Sequence, residues 1–232
     1  MEIGERSLRI KGLGRHPLRL ILIRHGEAQG NGEGQMLGHR DVALTDRGHN
    51  QAIALGEYLG QRTPPNYIYT SPLQRCRQTA EGLSKQLSLA PEIRIAPDLI
   101  ELDQGIFTGL TWPEAKNQYP DFCHRLETQS ELESIPGAES LEQGIRRTQE
   151  FWQNIFATHT PLDCLWLISH GGILQCLIST LLGCDRLWGI SIPPGAWFDI
   201  SVELDQDQFH SISHRHNPMA QRIHRFNASL PS

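Results

Sequence analysis

The chain has 232 residues, 38% of them hydrophobic and 20% charged, which fits one globular domain with a sizeable core. Its net charge of −5 supplies no global field for nucleic acid, so any phosphate binding must come from a local cluster of arginines. No apolar stretch approaches the roughly 18–20 residues of a membrane span, and residues 1–17 lack the apolar core of a secretory signal and are expected to be a flexible tail.

Leu18 to Ile23 is an apolar run that predicts a buried strand. Thr45 to Gln61 predicts a helix with Ala52, Leu55 and Leu59 on one face and Thr45 and Asp46 at its start. Tyr67 to Tyr69 predicts a short strand. Ser71 follows as the expected N-cap of a helix, with Pro72 at its first position and Gln74 closing a capping box. Ile93 to Ile95 predicts another strand. Helical pieces are expected near Pro113–Tyr119 and Asp121–Gln129. Ser140 and Gln143 form a second capping box, before a helix with Leu141, Ile145, Trp152 and Ile155 at helical spacing. Cys164 to Ile168 predicts a strand and Ile173 to Leu182 a helix. Trp197–Leu204 and Phe209–Ser213 predict a hairpin turned at Asp205 to Asp207. Strands alternating with helices point to an α/β protein with helices on both faces of the sheet. The five cysteines are scattered with no Cys-x-x-Cys, which predicts reduced, buried thiols in a cytoplasmic protein.

Charge and glycine begin where two of these strands end. The first runs into Arg24-His25-Gly26-Glu27, the second into Ser169-His170-Gly171-Gly172. Ligand sites in open α/β sheets form beyond the carboxyl ends of strands, so the two His-Gly pairs predict a two-histidine site. Arg75 falls in the first turn of the helix after Ser71, where free N–H groups and the helix dipole already favour anions. Arginine adds a planar fork of donors that matches phosphate oxygens. Arg24, His25, Arg75, Glu101 and His170 together suit a dianionic phosphoryl group.

Five ordered blocks carry a resemblance. They are Leu22 to Glu27 with Asn31; Gly38 to Asp41 with Leu44 to Gly48 and Gln51-Ala52; Ser71 to Arg75 with Gln78 to Ala80; Glu101 with Asp103 and Gly105; and Pro136 to Ser140 followed by Ser169 to Gly171. Over about residues 19–217 the chain resembles the histidine phosphatase superfamily, which includes cofactor-dependent phosphoglycerate mutases and many phosphomonoesterases. The resemblance implies a three-layer α/β/α sandwich, phosphoglycerate mutase-like, with a mostly parallel central sheet. It implies a single domain over residues 18–232 with a small lid-like insertion at about 106–136. His25 resembles the nucleophile that takes the phosphoryl group on a ring nitrogen. Arg24, Arg75 and His170 resemble the residues that hold the phosphoryl oxygens, and Glu101 the general acid that protonates the leaving oxygen. Asn31, Gly38 and Gly171 match substrate-binding positions. No metal and no cofactor is implied, because the arginines and His170 supply the positive charge.

The chemistry agrees with these roles. Phosphoryl transfer is mostly positioning and charge stabilisation, and a histidine nucleophile divides hydrolysis into two easier transfers. That histidine must be neutral, its second nitrogen donating to a backbone carbonyl. The chain departs from its relatives at Ala28, Gly30 and Gln104, positions expected on the pocket wall. The leading reading is a metal-independent phosphatase acting on a small phosphomonoester, with no nucleic-acid or membrane partner. The alternatives are a mutase and a non-catalytic binding or scaffold protein on the same fold. Phosphoglycerate mutases carry a longer basic insertion after the position of Glu101, where this chain offers only Lys116, His124 and Arg125. Glu139 is expected to be a structural carboxylate at a helix start. His210, His214 and His216 are expected to be exposed hairpin residues, Trp112 and Trp188 packing residues, and Glu127 to Glu133 a solvated face. An edge strand or exposed face could support a homodimer.

Overall fold

The computed structural model describes residues 17–128, 135–184, 190–203 and 221–230. Six strands form one sheet in the order β3-β2-β4-β1-β5-β6. They are β1 (Leu18–Arg24), β2 (Tyr67–Thr70), β3 (Glu92–Ile95), β4 (Cys164–Ser169), β5 (Trp197–Val202) and β6 (Gln221–Ala228). The first four positions in that order are parallel, and β5 and β6 run antiparallel to their neighbours. The helices are α1 (Asp46–Gly60), α2 (Gln74–Ser84), α3 (Trp112–Gln118), α4 (Pro120–Thr128), α5 (Leu141–Thr158) and α6 (Gly171–Leu182).

Strand alternation explains the three layers. Leu18, Leu20 and Leu22 of β1 and Leu165 and Leu167 of β4 pack with Phe151, Trp152 and Ile155 of α5 and Leu174, Leu177 and Ile178 of α6. Ile21, Ile23, Trp166 and Ile168 pack on the other face with Leu55 and Leu59 of α1 and Cys76, Ala80 and Leu83 of α2. The central strands are buried on both faces, which is why they read as unbroken apolar runs. A separate cluster gathers Phe107, Ala115 and Cys123 with Trp112, Tyr119 and Phe122 around α3 and α4.

Local signals set most helix starts. Thr45 caps α1 by accepting from the Gly48 N–H (3.1 Å). Ser140 and Gln143 form the expected reciprocal box on α5. The expected cap at Ser71 does not form. Helix α2 begins at Gln74 with Leu73 at the cap position, and the Gln74 N–H donates instead to Asp41 Oδ1 (2.5 Å), from a loop 33 residues away. The Ser71 hydroxyl lies 2.8 Å from His170 Nε2 and also accepts from the Leu73 N–H (3.3 Å), so its local bond closes a turn ahead of the helix instead of capping α2.

Strand β5 pairs with β6, which has no clear apolar alternation in sequence. The expected partner strand Phe209–Ser213, with His210, His214 and His216, lies outside the described residues, as do residues 1–16, Trp188, and the part of the charged run from residue 129 to residue 133. The cysteines are unbridged, and Cys76, Cys123 and Cys176 are buried. Cys184, expected to be buried, is exposed because α6 ends at Gly183, in the left-handed conformation that stops a helix.

Candidate active site

The carboxyl ends of β1, β2 and β4 lie side by side, with Arg24 level with Ser169 and Thr70 level with Ile168. His25, Ser71 and His170 therefore leave the sheet along one edge. The His25 N–H donates to Ser169 O (3.0 Å), tying the two histidine turns together. Gly26 is fixed by close approach: a Cβ there would strike the Gly48 carbonyl, and one on Gly48 would strike the Glu27 carbonyl. The turn after the first histidine thus lies backbone against backbone on the start of α1, and both glycines are required.

Arg75 is the hub. Its Nε–H is shared between His25 Nε2 (3.2 Å) and His170 Nδ1 (3.1 Å). Its terminal nitrogens donate to Arg40 O (2.6 Å) and Gly38 O (2.9 Å). His25 Nδ1 lies 2.6 Å from Gly26 O and so carries the proton, which leaves Nε2 with its lone pair. The two imidazoles meet edge to face with centroids 5.1 Å apart. Arg24 donates to Ile192 O from one terminal nitrogen, while its buried Nε has no hydrogen-bond partner among the described residues.

Both histidines are buried, and burial pushes their pKa values well below the usual histidine value. Arg24 and then Arg75 push His25 further down, against the Gly26 carbonyl, which raises it. For His170 the next causes are Arg75, His25 and Arg24. An unfolded chain binds protons that the native rings refuse. Their contribution to stability is therefore complete above about pH 6.5 and falls as pH drops below it, by up to about 1.4 kcal/mol per pH unit for each ring. In NMR of the free protein, the ring signals of His25 and His170 are expected not to titrate between pH 7.5 and 5.5. A midpoint near pH 6.5 for either would contradict the geometry.

Glu101 is held at the start of α6. Its Oε1 accepts from the N–H groups of Leu102 (2.9 Å) and Ile173 (3.0 Å), and its Oε2 from Gly172 (3.2 Å). A Cβ on Gly172 would lie 2.8 Å from Oε1, so that glycine makes room for the carboxylate. Arg147 of α5 braces the segment from behind, donating to Asp98 O (2.6 Å) and Ile100 O (2.8 Å). Glu139 pairs with the same guanidinium (2.7 Å), in the structural role expected of it.

A cavity of about 320 Å3 opens at this edge. Arg24, His25, Asn31, Gly38, Arg75, Glu101 and Gly171 all line it. His170 is fully buried and does not line it; it stands behind Arg75. The Gly38 carbonyl is taken by Arg75, and Asn31 Oδ1 accepts from the Ala28 N–H (2.9 Å), leaving its amide N–H groups as donors. Of the three departures expected on the wall, only Gln104 lies there. Ala28 instead fills a small apolar cluster with Leu37 and Leu44, and Gly30, with φ +89°, forms a turn. The sequence did not single out Gln35, Gln175 or Ser191, which also line the cavity, nor Arg147. The α3–α4 cations are engaged away from it: Lys116 pairs with Glu127 (2.6 Å) and Arg125 lies over the Phe122 ring.

The chain is similar to known proteins in sequence and fold. The model of the histidine phosphatase superfamily, branch 1, matches residues 20–215. A metal-independent phosphoserine phosphatase of Arabidopsis thaliana is 31% identical over 159 residues, 68% of this chain and 66%, just under two thirds, of that protein. A 2,3-bisphosphoglycerate-dependent phosphoglycerate mutase of Bartonella henselae is 30% identical over 169 residues, 72% of this chain and 82% of that one. The solved structure of a mycobacterial glucosyl-3-phosphoglycerate phosphatase superposes with a TM-score of 0.75 at 26% identity, covering 91% of this chain and all of that one. With its strand order and the residues gathered at its sheet edge, this chain is an enzyme of the histidine phosphatase superfamily, branch 1.

Proposed function

We propose that the protein is a metal-independent phosphomonoesterase that works through a phosphohistidine on His25. The observation that carries this is the state of His25: neutral, its Nδ1–H fixed on Gly26 O and its Nε2 lone pair directed at the donor of a buried arginine. A phosphoryl dianion draws the Arg75 Nε–H onto its own oxygens, beside Arg24, and so uncovers Nε2. His170, behind Arg75, acts through that arginine: its Nδ1 accepts the Arg75 Nε–H in the resting site and its Nε2 is anchored on the Ser71 hydroxyl.

Nε2 then attacks phosphorus, the ester P–O bond breaks, and the leaving oxygen takes a proton from Glu101. Glu101 Oε2 accepts one backbone N–H and Oε1 two, so Oε2 is the oxygen with room for that proton. Water next attacks the phosphohistidine and gives its proton to Glu101. Phosphate leaves, and His25 is neutral again. Among the described residues, the segment from residue 106 to residue 128 commits no cation to the cavity, which leaves the phosphoenzyme open to water and favours hydrolysis over return of the group to substrate.

The test is release of p-nitrophenol from p-nitrophenyl phosphate in the presence of EDTA, with His25→Ala as control. Activity that survives the chelator and vanishes in the variant is expected. No release, together with interconversion of 2- and 3-phosphoglycerate, would replace this reading with the mutase. Arg147→Met supplies a second check, because Arg147 holds the Glu101 segment without touching the cavity. It is expected to slow alkyl phosphates about 10-fold or more, and p-nitrophenyl phosphate much less, since a good leaving group needs little protonation. Equal slowing of both would show a merely structural role.

A further inference from the structure

The outer part of the cavity has a hydrogen-bonding pattern of its own. Gln104 donates its Nε2 to Leu102 O (3.3 Å), and Gln175 donates its Nε2 to Ile190 O (3.1 Å). Each amide is thereby held by a backbone carbonyl, and each keeps its Oε1 as an acceptor on a residue of the cavity wall. Their positions are tied to the acid. Gln104 lies three residues beyond Glu101, and Gly38, at φ +47°, leaves its Cγ room that a Cβ would enter at 3.1 Å. Gln175 lies one turn along α6 from Gly171 and Gly172, on the same side of the helix. The acid marks where the leaving group sits, and both glutamines line the same cavity beside it. Ser191 adds a hydroxyl to the same wall.

We infer that Gln104 and Gln175 read hydroxyl groups on the leaving group, so that the substrate is the phosphate ester of a sugar or polyol. This rests on the phosphatase reading above. Two amide oxygens are satisfied by donors, and a hydroxyl supplies one to each while accepting from Ser191. Each amide also keeps one N–H: a hydroxyl pairs with both that N–H and the oxygen, whereas a carboxylate, which only accepts, takes the N–H and leaves both oxygens without a donor. Among the described residues, the arginines that line the cavity are Arg24 and Arg75, which the phosphoryl group takes; Arg40, 3.4 Å from Gln35 Oε1, does not line it.

The experiment compares kcat/KM of the full chain for ribose 5-phosphate, glucose 6-phosphate and glycerol 1-phosphate with that for phosphoserine and 3-phosphoglycerate, alongside p-nitrophenyl phosphate. The best hydroxyl-bearing ester is expected to exceed both carboxylate-bearing ones at least about 10-fold. Gln104→Met and Gln175→Met, near-isosteric and checked for native thermal melting, are each expected to lower the ratio of that ester to p-nitrophenyl phosphate about 10-fold. Phosphoserine or 3-phosphoglycerate turned over as well as the sugar esters, or an unchanged ratio in both variants, would overturn the inference while leaving the phosphatase reading intact. An enzyme inert towards every ester, p-nitrophenyl phosphate included, would remove both.

Discussion

His25→Ala is expected to lower turnover by at least about 10³-fold while the protein keeps its fold. The imidazole is the attacking group in the proposed reaction, and among the described residues no other histidine lines the cavity: His170 is shielded behind Arg75. The fold should survive because the ring donates only one hydrogen bond, to the neighbouring Gly26 carbonyl. The turn itself is set by backbone contacts that the substitution leaves alone, namely the His25 N–H on Ser169 O and the Gly26–Gly48 approach. Rapid quenching with a 32P-labelled ester should trap an acid-labile, base-stable phosphoenzyme in the wild type and none in the variant. A variant within about ten-fold of wild-type activity, or one that still labels, would remove His25 from the mechanism.

Arg75→Ala is expected to cost about 10²–10³-fold in kcat, the scale for losing a donor aimed at developing charge. The effect should exceed that of a single hydrogen bond because Arg75 has two jobs. One, in the proposed reaction, is to offer its Nε–H to the phosphoryl oxygens. The other is to hold the Gly38 and Arg40 carbonyls, and with them the loop that also delivers Asp41 to the start of α2. Removing the guanidinium leaves those carbonyls without their donor, at about 1–3 kcal/mol for each that stays buried, so the melting temperature should fall as well. Arg75→Lys keeps the charge but not the planar fork. It should restore part of the stability and little of the rate. Full recovery of kcat by lysine would mean that charge alone matters and that the fork geometry does not.

Much of this site could be read from the sequence because of where polarity changes. Arg24 and His25, and Ser169 and His170, follow apolar runs too continuous to be anything but buried strands, so their place at a sheet edge follows from the strands. The box at Ser140 and Gln143 was legible for the same local reason: donor and acceptor lie within one turn. What could not be read joins segments far apart in the chain. Asp41 capping α2, Arg147 bracing the Glu101 segment and Arg75 gripping two loop carbonyls are side-chain to backbone bonds with no periodicity to betray them. Ser71 misled because its hydroxyl accepts from Leu73 in the turn before α2, while its other partner, His170, lies 99 residues away. Strand β6 was missed because it is an edge strand with charged and apolar residues mixed along its length. Gln175 was hidden on a helix whose other residues announce only a core.

The single N–H that Arg75 divides between two imidazoles also governs what the resting enzyme ignores. A histidine nitrogen with an open lone pair would be exposed to any alkylating or acylating agent small enough to enter. Here that lone pair is occupied until something more attractive to the guanidinium arrives, and only an anion of high charge density qualifies. An uncharged electrophile in the same cavity has nothing with which to draw the arginine aside. In the proposed mechanism the catalyst is therefore latched by its own substrate-binding group, and the dianion that opens the latch is the one partner with which the histidine is meant to react.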